Sequence, residues 1–402
     1  MIHPPRLGIV ILFSFVLLGA GGFAVYSGGQ RILSAREAAT VKRAQAPPKI
    51  VFAIQDEGAE TANKPLHEVI RGLDFDHDPK ALLTFDLAMQ TRLRRRHYEE
   101  LDACAADLER SRARFPGGGW ELYRMLDMLS NCPGGRDGPE VEWGAHLSLF
   151  RDWIAHRPDS CTAREALSGA LIDYAWKARG EGFARTVTDE GWRLHSERLQ
   201  QAGAVLGDLP PHSHRSPMWY YNRLVIARGL SLPRVEYDRI FNAGVRQEPG
   251  FFGLYTEKAY DLLPRWDGEP GEWERFATEA SDRTGGSRGD ILYFFIVRAQ
   301  CESIGDKVVL ADGDVDWGRV KRGWVALCAA FGTTNNNLNE YCLMAGMKGD
   351  RDETVAMLAR IGDKWDPWVW KKRSTFTDFQ DWAFRRGPYA ADAGLRAWIP
   401  KQ

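Results

Sequence analysis

The segment AWKARGEGFARTVTDEGWRLHSERLQQA (residues 175–202) gathers charged side chains around a glycine-containing connection. Guanidinium and carboxylate groups form strong, directional hydrogen bonds. Arg179, Glu181 and Arg185 are therefore candidates for binding a peptide or another polar ligand.

The same connection argues against a nucleotide site. Gly180 and Gly182 lack the third glycine of a dinucleotide-binding fingerprint, and they follow a predicted helix rather than a strand. The interpretation that we favour is a turn that locks two helices together through Trp176 and Trp192. A ligand groove is the alternative.

Further candidates combine aromatic rings with guanidinium or amide groups, a combination that can clamp a peptide backbone or a carboxylate. We expect them on inward helix positions and in the loops between helices. These candidates are Trp219, Tyr220, Arg265, Trp266, Asn335, Asn336 and Asn337.

Tryptophan is abundant, with fifteen residues, and tryptophan can stack on sugar rings. This composition would suit a glycan hydrolase built on an (α/α) toroid, with Trp219 or Trp266 as a sugar platform. Such an enzyme needs two carboxylates about 5–9.5 Å apart, and no acidic spacing here singles out a pair. Because tryptophan in repeat helices usually fills the space between neighbours, we favour packing.

No metal or cofactor is expected. The DGDVDW segment places aspartates at alternate positions, but Trp317 and Gly323 stand where a calcium loop needs glycine and glutamate. The His212-x-His214 pair and the DFDHD segment (residues 74–78) are too short for a ligand set. Walker and HExxH motifs are also missing from the sequence.

Two further observations limit the classes of protein to which the chain can belong. The net charge of −1 disfavours nucleic acid, because the basic run at residues 92–97 is followed at once by acidic residues that can pair with it. The six cysteines include no CxxC spacing. They could form bridges within the clusters 104/132/161 and 301/328/342, or serve as small buried apolar side chains.

The N-terminal region predicts a membrane anchor. After a short tail (residues 1–6), Leu7–Ser27 carries no charge and is long enough to cross about 30 Å of hydrocarbon. An uncleaved anchor is favoured over a cleaved signal. The arginines and lysines that follow this segment would keep the large C-terminal part of the chain in the cytoplasm. The very short N-terminal tail instead favours export of that part. We expect a single-pass bacterial inner-membrane protein with a periplasmic domain.

The remainder predicts an all-α fold. Residues 28–79 are polar and include Pro47-Pro48, as in a linker, whereas helical periodicity dominates residues 80–370, followed by a C-terminal extension at 371–402. Helix pairs are predicted at 163–178 with 188–206, 219–229 with 234–246, 251–263 with 271–283, 288–301 with 316–330, and 336–347 with 352–361.

Pairs recurring at about 34 residues are typical of tetratricopeptide-type solenoids. The segment from Met218 to Pro249 fits that pattern best, with Tyr221 and Phe241 at its aromatic positions, although Tyr237 stands where alanine is expected. We therefore predict a tetratricopeptide-like α-solenoid of antiparallel helix pairs.

Several long, aromatic-rich segments resemble a bacterial family of helical-repeat proteins known only as a domain of unknown function. The resemblance covers roughly residues 80–370 and implies a helical-repeat fold without an activity. These segments are the 175–202 stretch, MWYY (218–221), YDLLPRWDGEPGEWERFA (260–277), DWGRVKRG (316–323) and NLNEYCLMAGMKGD (337–350).

Solenoids present long curved surfaces, so we expect non-catalytic binding of a protein or peptide partner by a membrane-tethered chain. The envelope glycan hydrolase and a purely structural envelope protein remain as alternatives. An open superhelix would favour binding. A closed toroid with facing carboxylates would favour hydrolysis.

Overall fold

The computed structural model describes residues 64–75, 78, 80–180, 184–208, 215–266 and 268–384. This part of the chain is helical and contains no β-strand. Its single isolated bridge joins Arg114 and Trp120. The predicted all-α class is confirmed for these residues.

Seventeen α-helices follow one another along the described chain, together with a 3-10 turn at Ala184–Thr186 and a π-helical turn at Lys307–Ala311. The helices are α1 (Leu66–Arg71), α2 (Ala81–Arg94), α3 (Tyr98–Ser111), α4 (Glu121–Ser130), α5 (Glu140–His156), α6 (Cys161–Arg179), α7 (Asp189–Gly207), α8 (Pro217–Gly229), α9 (Arg234–Gln247), α10 (Gly253–Asp261), α11 (Glu272–Thr284), α12 (Gly286–Ile304), α13 (Trp317–Phe331), α14 (Asn335–Lys348), α15 (Arg351–Ile361), α16 (Pro367–Trp370) and α17 (Arg373–Phe384).

Side-chain caps fix where several of these helices begin. The Ser160 hydroxyl accepts a hydrogen bond from the Ala163 amide at the start of α6, and Thr188 accepts one from the Gly191 amide at the start of α7. Asp316, an aspartate of the DGDVDW segment, accepts one from the Arg319 amide at the start of α13. Each cap satisfies an amide that the first helical turn leaves without a partner.

The ten helices predicted as pairs are all present, with ends shifted by at most a few residues. In the pair α6–α7, Trp176 near the end of α6 contacts His195, and Arg198 further along α7 bonds the earlier Tyr174 carbonyl, so the two helices run antiparallel. Burial explains the regularity, because each helix covers the apolar face of its neighbour.

The helices α2, α4, α6, α8, α10 and α12 form a row in which each packs against the next. We call this set the inner row. Its members are buried nearly all round, as α4 and α12 show, whereas α9 and α11 bury one face only. The odd-numbered helices from α3 to α11 pack against this row, and α14 continues beyond α12 through an ion pair between Arg298 and Glu340.

The connection between α3 and α4 contacts segments that lie much later in the chain. We call residues 112–120 the closing loop. Its Arg112 pairs with Glu248 at 2.7 Å, and its Gly117 amide bonds the Gly332 carbonyl at 3.3 Å. Gly118 lies so close to Leu327 and other side chains that an added Cβ would sit 3.1 Å away. The closing loop therefore ties the start of the stack to the ends of α9 and α13.

Packed helices extend beyond the predicted repeat region at both ends. Within the predicted linker, α1 buries Leu66 and Val69 and packs on α3. Within the predicted C-terminal extension, α17 buries Phe376 and Phe379 and packs on α15. The short amphipathic patterns of α1 and α17 acquire their stability from these neighbours.

None of the helices in the described residues is long and apolar enough to cross a membrane. The predicted anchor Leu7–Ser27, the tail before it and most of the linker lie outside the described residues.

All six cysteines are free thiols, so the bridges considered from their spacing are not formed. Cys104, Cys132, Cys301 and Cys342 are buried as small apolar side chains, the second of the two roles that their spacing allows.

Candidate functional site

The C-terminal ends of three inner-row helices bring aromatic rings and guanidinium groups together. We call this set the arginine–tryptophan cluster. It consists of Trp176 and Arg179 of α6, His195 of α7, Arg228 of α8, Tyr260 of α10, and Arg265 and Trp266 of the following turn.

The tryptophans form the centre of the cluster. The rings of Trp176 and Trp266 meet edge to face with centres 6.2 Å apart, and the His195 ring meets Trp176 at 4.9 Å. The Arg179 guanidinium lies 5.4 Å from the Trp176 ring and 5.2 Å from the part-exposed Trp192. Such contacts give a cation a favourable place against an aromatic face.

Arg228 connects the two sides of the cluster. Its guanidinium lies 4.6 Å from the Trp266 ring and 4.5 Å from the Tyr260 ring, and its Nε donates to Glu257 at 2.9 Å. Burial by itself would lower the pKa of Arg228, but the charge of Glu257 reverses that effect and raises it. Arg228 therefore stays a cation inside the helix stack.

His195 is the most enclosed polar group of the cluster. Burial first, and then the charges of Arg179 and Arg228, lower the pKa of His195 to about 4, so the imidazole is neutral at neutral pH. Neither of its ring nitrogens has a hydrogen-bond partner among the described residues, and the buried indole nitrogen of Trp266 has none there either. Buried polar atoms rarely lack a hydrogen-bond partner in a cluster that serves packing alone.

A carboxylate pair lies next to this cluster along the inner row. Both guanidinium amino groups of Arg265 approach the Ser303 carbonyl at 3.5 Å, beside Glu302 on α12. The Nε of Arg298 lies 3.2 Å from an oxygen of Glu302 and 3.2 Å from an oxygen of Glu340. Burial raises the pKa of Glu302 to about 7 and also raises that of Glu340.

Of the predicted binding residues, three lie together in the arginine–tryptophan cluster, namely Arg179, Arg265 and Trp266. Arg185 is exposed in the 3-10 turn after α6, and Glu181 lies outside the described residues. Trp219 and Tyr220 lie at the opposite end of α8, where the Trp219 indole donates to the Leu206 carbonyl. They contact each other rather than the cluster.

The three predicted asparagines support helix ends. Asn337 forms a capping box with Thr334 at the start of α14, with 2.7 Å between its Oδ1 and the Thr334 hydroxyl. Asn336 donates to Asp366 at 3.2 Å, and the Asn335 carbonyl accepts from Asn339 at 2.8 Å. The structure therefore places them in local hydrogen bonds, apart from the arginine–tryptophan cluster.

Three members of the cluster were not singled out from the sequence. Arg228 stands in the otherwise apolar segment LVIARG, and an arginine in such a helix face is a signal that could have been used. His195 and Tyr260 carry no comparable signal, because their spacing is that of ordinary helix packing.

The fold and the cluster define an all-helical protein of stacked helices with a polar, aromatic-rich site at the ends of its inner row. No family model matches the chain, and searches of curated proteins and of solved structures found no match. Within the described residues there is no group of three or more histidine, cysteine, aspartate or glutamate side chains arranged to hold a metal ion.

Proposed function

We propose that the protein is a membrane-tethered, tetratricopeptide-like helical-repeat protein that binds a protein or peptide partner without catalysing a reaction. Residues 7–27 would anchor it, with the helical domain in the periplasm. The arginine–tryptophan cluster would receive the partner. The resemblance to the bacterial helical-repeat family is part of this proposal, because stacked helices are what that family leads one to expect.

The observation that carries the proposal is the coincidence of unsatisfied polar atoms with aromatic and arginine side chains. The ring nitrogens of His195 and the indole nitrogen of Trp266 are buried without partners among the described residues, and both rings contact Trp176. A peptide supplies carbonyl and amide groups that can pair with such atoms. Tryptophan, tyrosine and arginine are also the residues that contribute most to binding energy at protein interfaces.

The closing loop narrows the kind of partner that fits. It occupies the side of the stack beside the starts of α4 and α10, where the Trp120 indole donates to the Gly250 carbonyl at 3.3 Å. A long peptide therefore cannot run along the whole inner row. The partner would present a short segment at the opposite ends of α6, α8 and α10.

Selection from a phage-displayed random peptide library on the detergent-solubilised full chain tests the binding function. We expect enriched peptides that share a consensus and lose binding to the Trp266→Leu variant. The matched control is Trp368→Leu, which removes a part-exposed tryptophan on α16, outside the cluster. Absence of a consensus, or equal binding to both variants, would refute the proposal.

Anchoring and orientation need a separate experiment. Alkaline carbonate extraction should leave the full chain in the membrane and release a variant that lacks residues 7–27. Protease added to spheroplasts should digest the helical domain if it is periplasmic. Protection from protease until the membrane is broken would contradict that orientation.

One observation favours the glycan hydrolase as a second candidate. Glu302 and Glu340 share the Arg298 guanidinium, and the raised pKa of Glu302 suits a proton donor. Incubation of purified cell-wall glycan with the full chain should then release new reducing ends. Glu302→Gln and Glu340→Gln should each abolish that release, whereas the control Glu353→Gln on α15 should not. No release by the unmodified protein excludes this candidate.

A further inference from the structure

A second site lies on the other side of the stack, between the turn after α1 and the closing loop. An open cleft of about 470 Å³ separates these two segments. Its lining combines two arginines, one aspartate and apolar surfaces. The residues that matter here are Arg71, Asp74, Phe75, Arg114, Pro116 and Phe331.

Arg114 is the group that distinguishes this cleft. Its amino groups donate to the carbonyls of Gly118 at 3.0 Å and Gly250 at 2.8 Å. Its guanidinium lies 4.5 Å from the Trp120 ring and 5.2 Å from the Phe331 ring. A guanidinium has more N–H donors than these two bonds use. The side chain is thus held rigidly with donor capacity left at the cleft.

The charge of Arg114 has no ion-pair partner among the described carboxylates. The charge of Glu248 raises the pKa of Arg114 and so opposes the effect of burial, but the Glu248 carboxylate is bonded to Arg112 at 2.7 Å. Burial, and to a lesser degree Arg288 and Arg112, lower the pKa of Arg114 to about 10. A largely buried cation without a bonded anion is costly, and proteins normally supply the missing anion.

Arg71 adds a second guanidinium to the same cleft from the last turn of α1. Asp74 also lines the cleft, so the two guanidiniums leave it with a net positive charge. Phe75 and Phe331 provide flat apolar surface within the cleft. The cleft therefore places the Arg114 guanidinium next to the aromatic rings of Phe75 and Phe331.

We propose that this cleft binds a small oxyanion that carries a planar apolar group, with its carboxylate or phosphate on Arg114. The planar arginine fork matches both kinds of oxyanion. This site is distinct from the arginine–tryptophan cluster, and its occupancy does not depend on the proposed binding of a peptide there.

Isothermal titration of the full chain in detergent tests this site with three probes of similar shape. Benzoate and phenyl phosphate carry the two oxyanions on a flat ring, and benzylammonium carries the opposite charge. We expect the anions to bind and the cation not to bind. The tighter of the two anions identifies whether the natural ligand is a carboxylate or a phosphate.

Variants assign the binding to this cleft. Arg114→Lys keeps the charge but removes the fork, and Arg71→Gln removes an exposed charge whose loss should leave the fold intact. Arg114→Lys should weaken binding of the preferred anion about tenfold, because one charge-assisted hydrogen bond is lost. Arg71→Gln should weaken it by a smaller factor, because only the attraction of a second positive charge is lost. The control Arg151→Gln removes an exposed arginine on α5 and should change nothing. If neither anion binds at millimolar concentration, if benzylammonium binds equally, or if Arg71→Gln has no effect, the proposal is wrong.

Discussion

Trp176 and Trp266 meet edge to face with ring centres 6.2 Å apart, although they belong to different helix pairs. This contact fixes the position of the α10–α11 turn against α6. It also places Trp266 against the Arg228 guanidinium, whose charge acts on the enclosed His195. The arginine–tryptophan cluster thus exists only because three separate helix pairs are stacked.

The contact between the two tryptophans should be measurable as a coupling energy. A double-mutant cycle with Trp176→Leu and Trp266→Leu should give about 0.5–1.5 kcal/mol beyond the sum of the single effects, as aromatic pairs do. Urea unfolding of the four proteins provides the free energies. A cycle that pairs Trp176→Leu with Trp368→Leu should give no coupling, and equal values in the two cycles would contradict the arrangement.

The closing loop should be intolerant of even one added carbon atom. At Gly117, where φ is +87°, a Cβ would lie 2.2 Å from the Asn337 side-chain oxygen. Gly117→Ala should lower the free energy of unfolding by about 2–4 kcal/mol, because clash is added to backbone strain. Gly135→Ala is the matched control, since φ is +69° but nothing lies within 4 Å of the added atom. Denaturant titration should show a loss of about 1 kcal/mol there.

Asp127 should make the stability depend on pH. Burial, reinforced by Asp173 and opposed by Arg124, raises the pKa of Asp127 from 3.8 to about 7. The folded protein therefore keeps this proton at pH values where the unfolded chain has released it. The corresponding stability is full below pH 3.8 and is lost as the pH rises through about 7.

Asp127→Asn cannot ionise, so it should become more stable than the unmodified protein as the pH rises. Urea unfolding at pH 5, 7 and 9 should show the difference growing by about 2 kcal/mol in favour of the variant. Asp378→Asn, at an exposed position on α17, should show a constant difference. A constant difference for Asp127→Asn as well would mean that this carboxyl is not enclosed.

The thiols should report the packing of the helices. The structure has six free cysteines, of which Cys161 and Cys328 are only partly buried. Ellman's reagent at pH 8 should modify these two first and the four buried thiols only after unfolding, because the reagent needs an accessible thiolate. All six should react in guanidinium chloride without reductant. A total below six would show that a disulfide forms after all.

The helices could be predicted from the sequence because their apolar residues recur at helical spacing and each pair ends at recognisable turn and cap residues. Ser160, Thr188 and Asp316 begin helices by local hydrogen bonds that need no distant partner. The closing loop could not be predicted in this way. Its contacts with Glu248, Gly332 and Asn337 join residues far apart in the chain, and no periodicity encodes them.

The candidate site, too, could be predicted only in part from the sequence. Arg179, Arg265 and Trp266 were identifiable as residue types suited to binding, whereas their neighbours His195 and Tyr260 were not. The prediction of Trp219, Tyr220 and the asparagines at positions 335–337 as part of one surface rested on residue type alone. The structure separates these residues from the cluster because they occupy other helix ends.

By itself, the sequence determined the all-α class, the order of the helices and the places where they begin and end. These properties depend on interactions between residues a few positions apart. Only the tertiary structure decided that residues 112–120 contact α9 and α13, that Trp176 reaches Trp266, and that Arg114 faces a cleft without an ion-pair partner among the described carboxylates. Those relationships depend on how whole helices stack, and stacking is the sum of many weak contacts between surfaces that local sequence patterns do not specify.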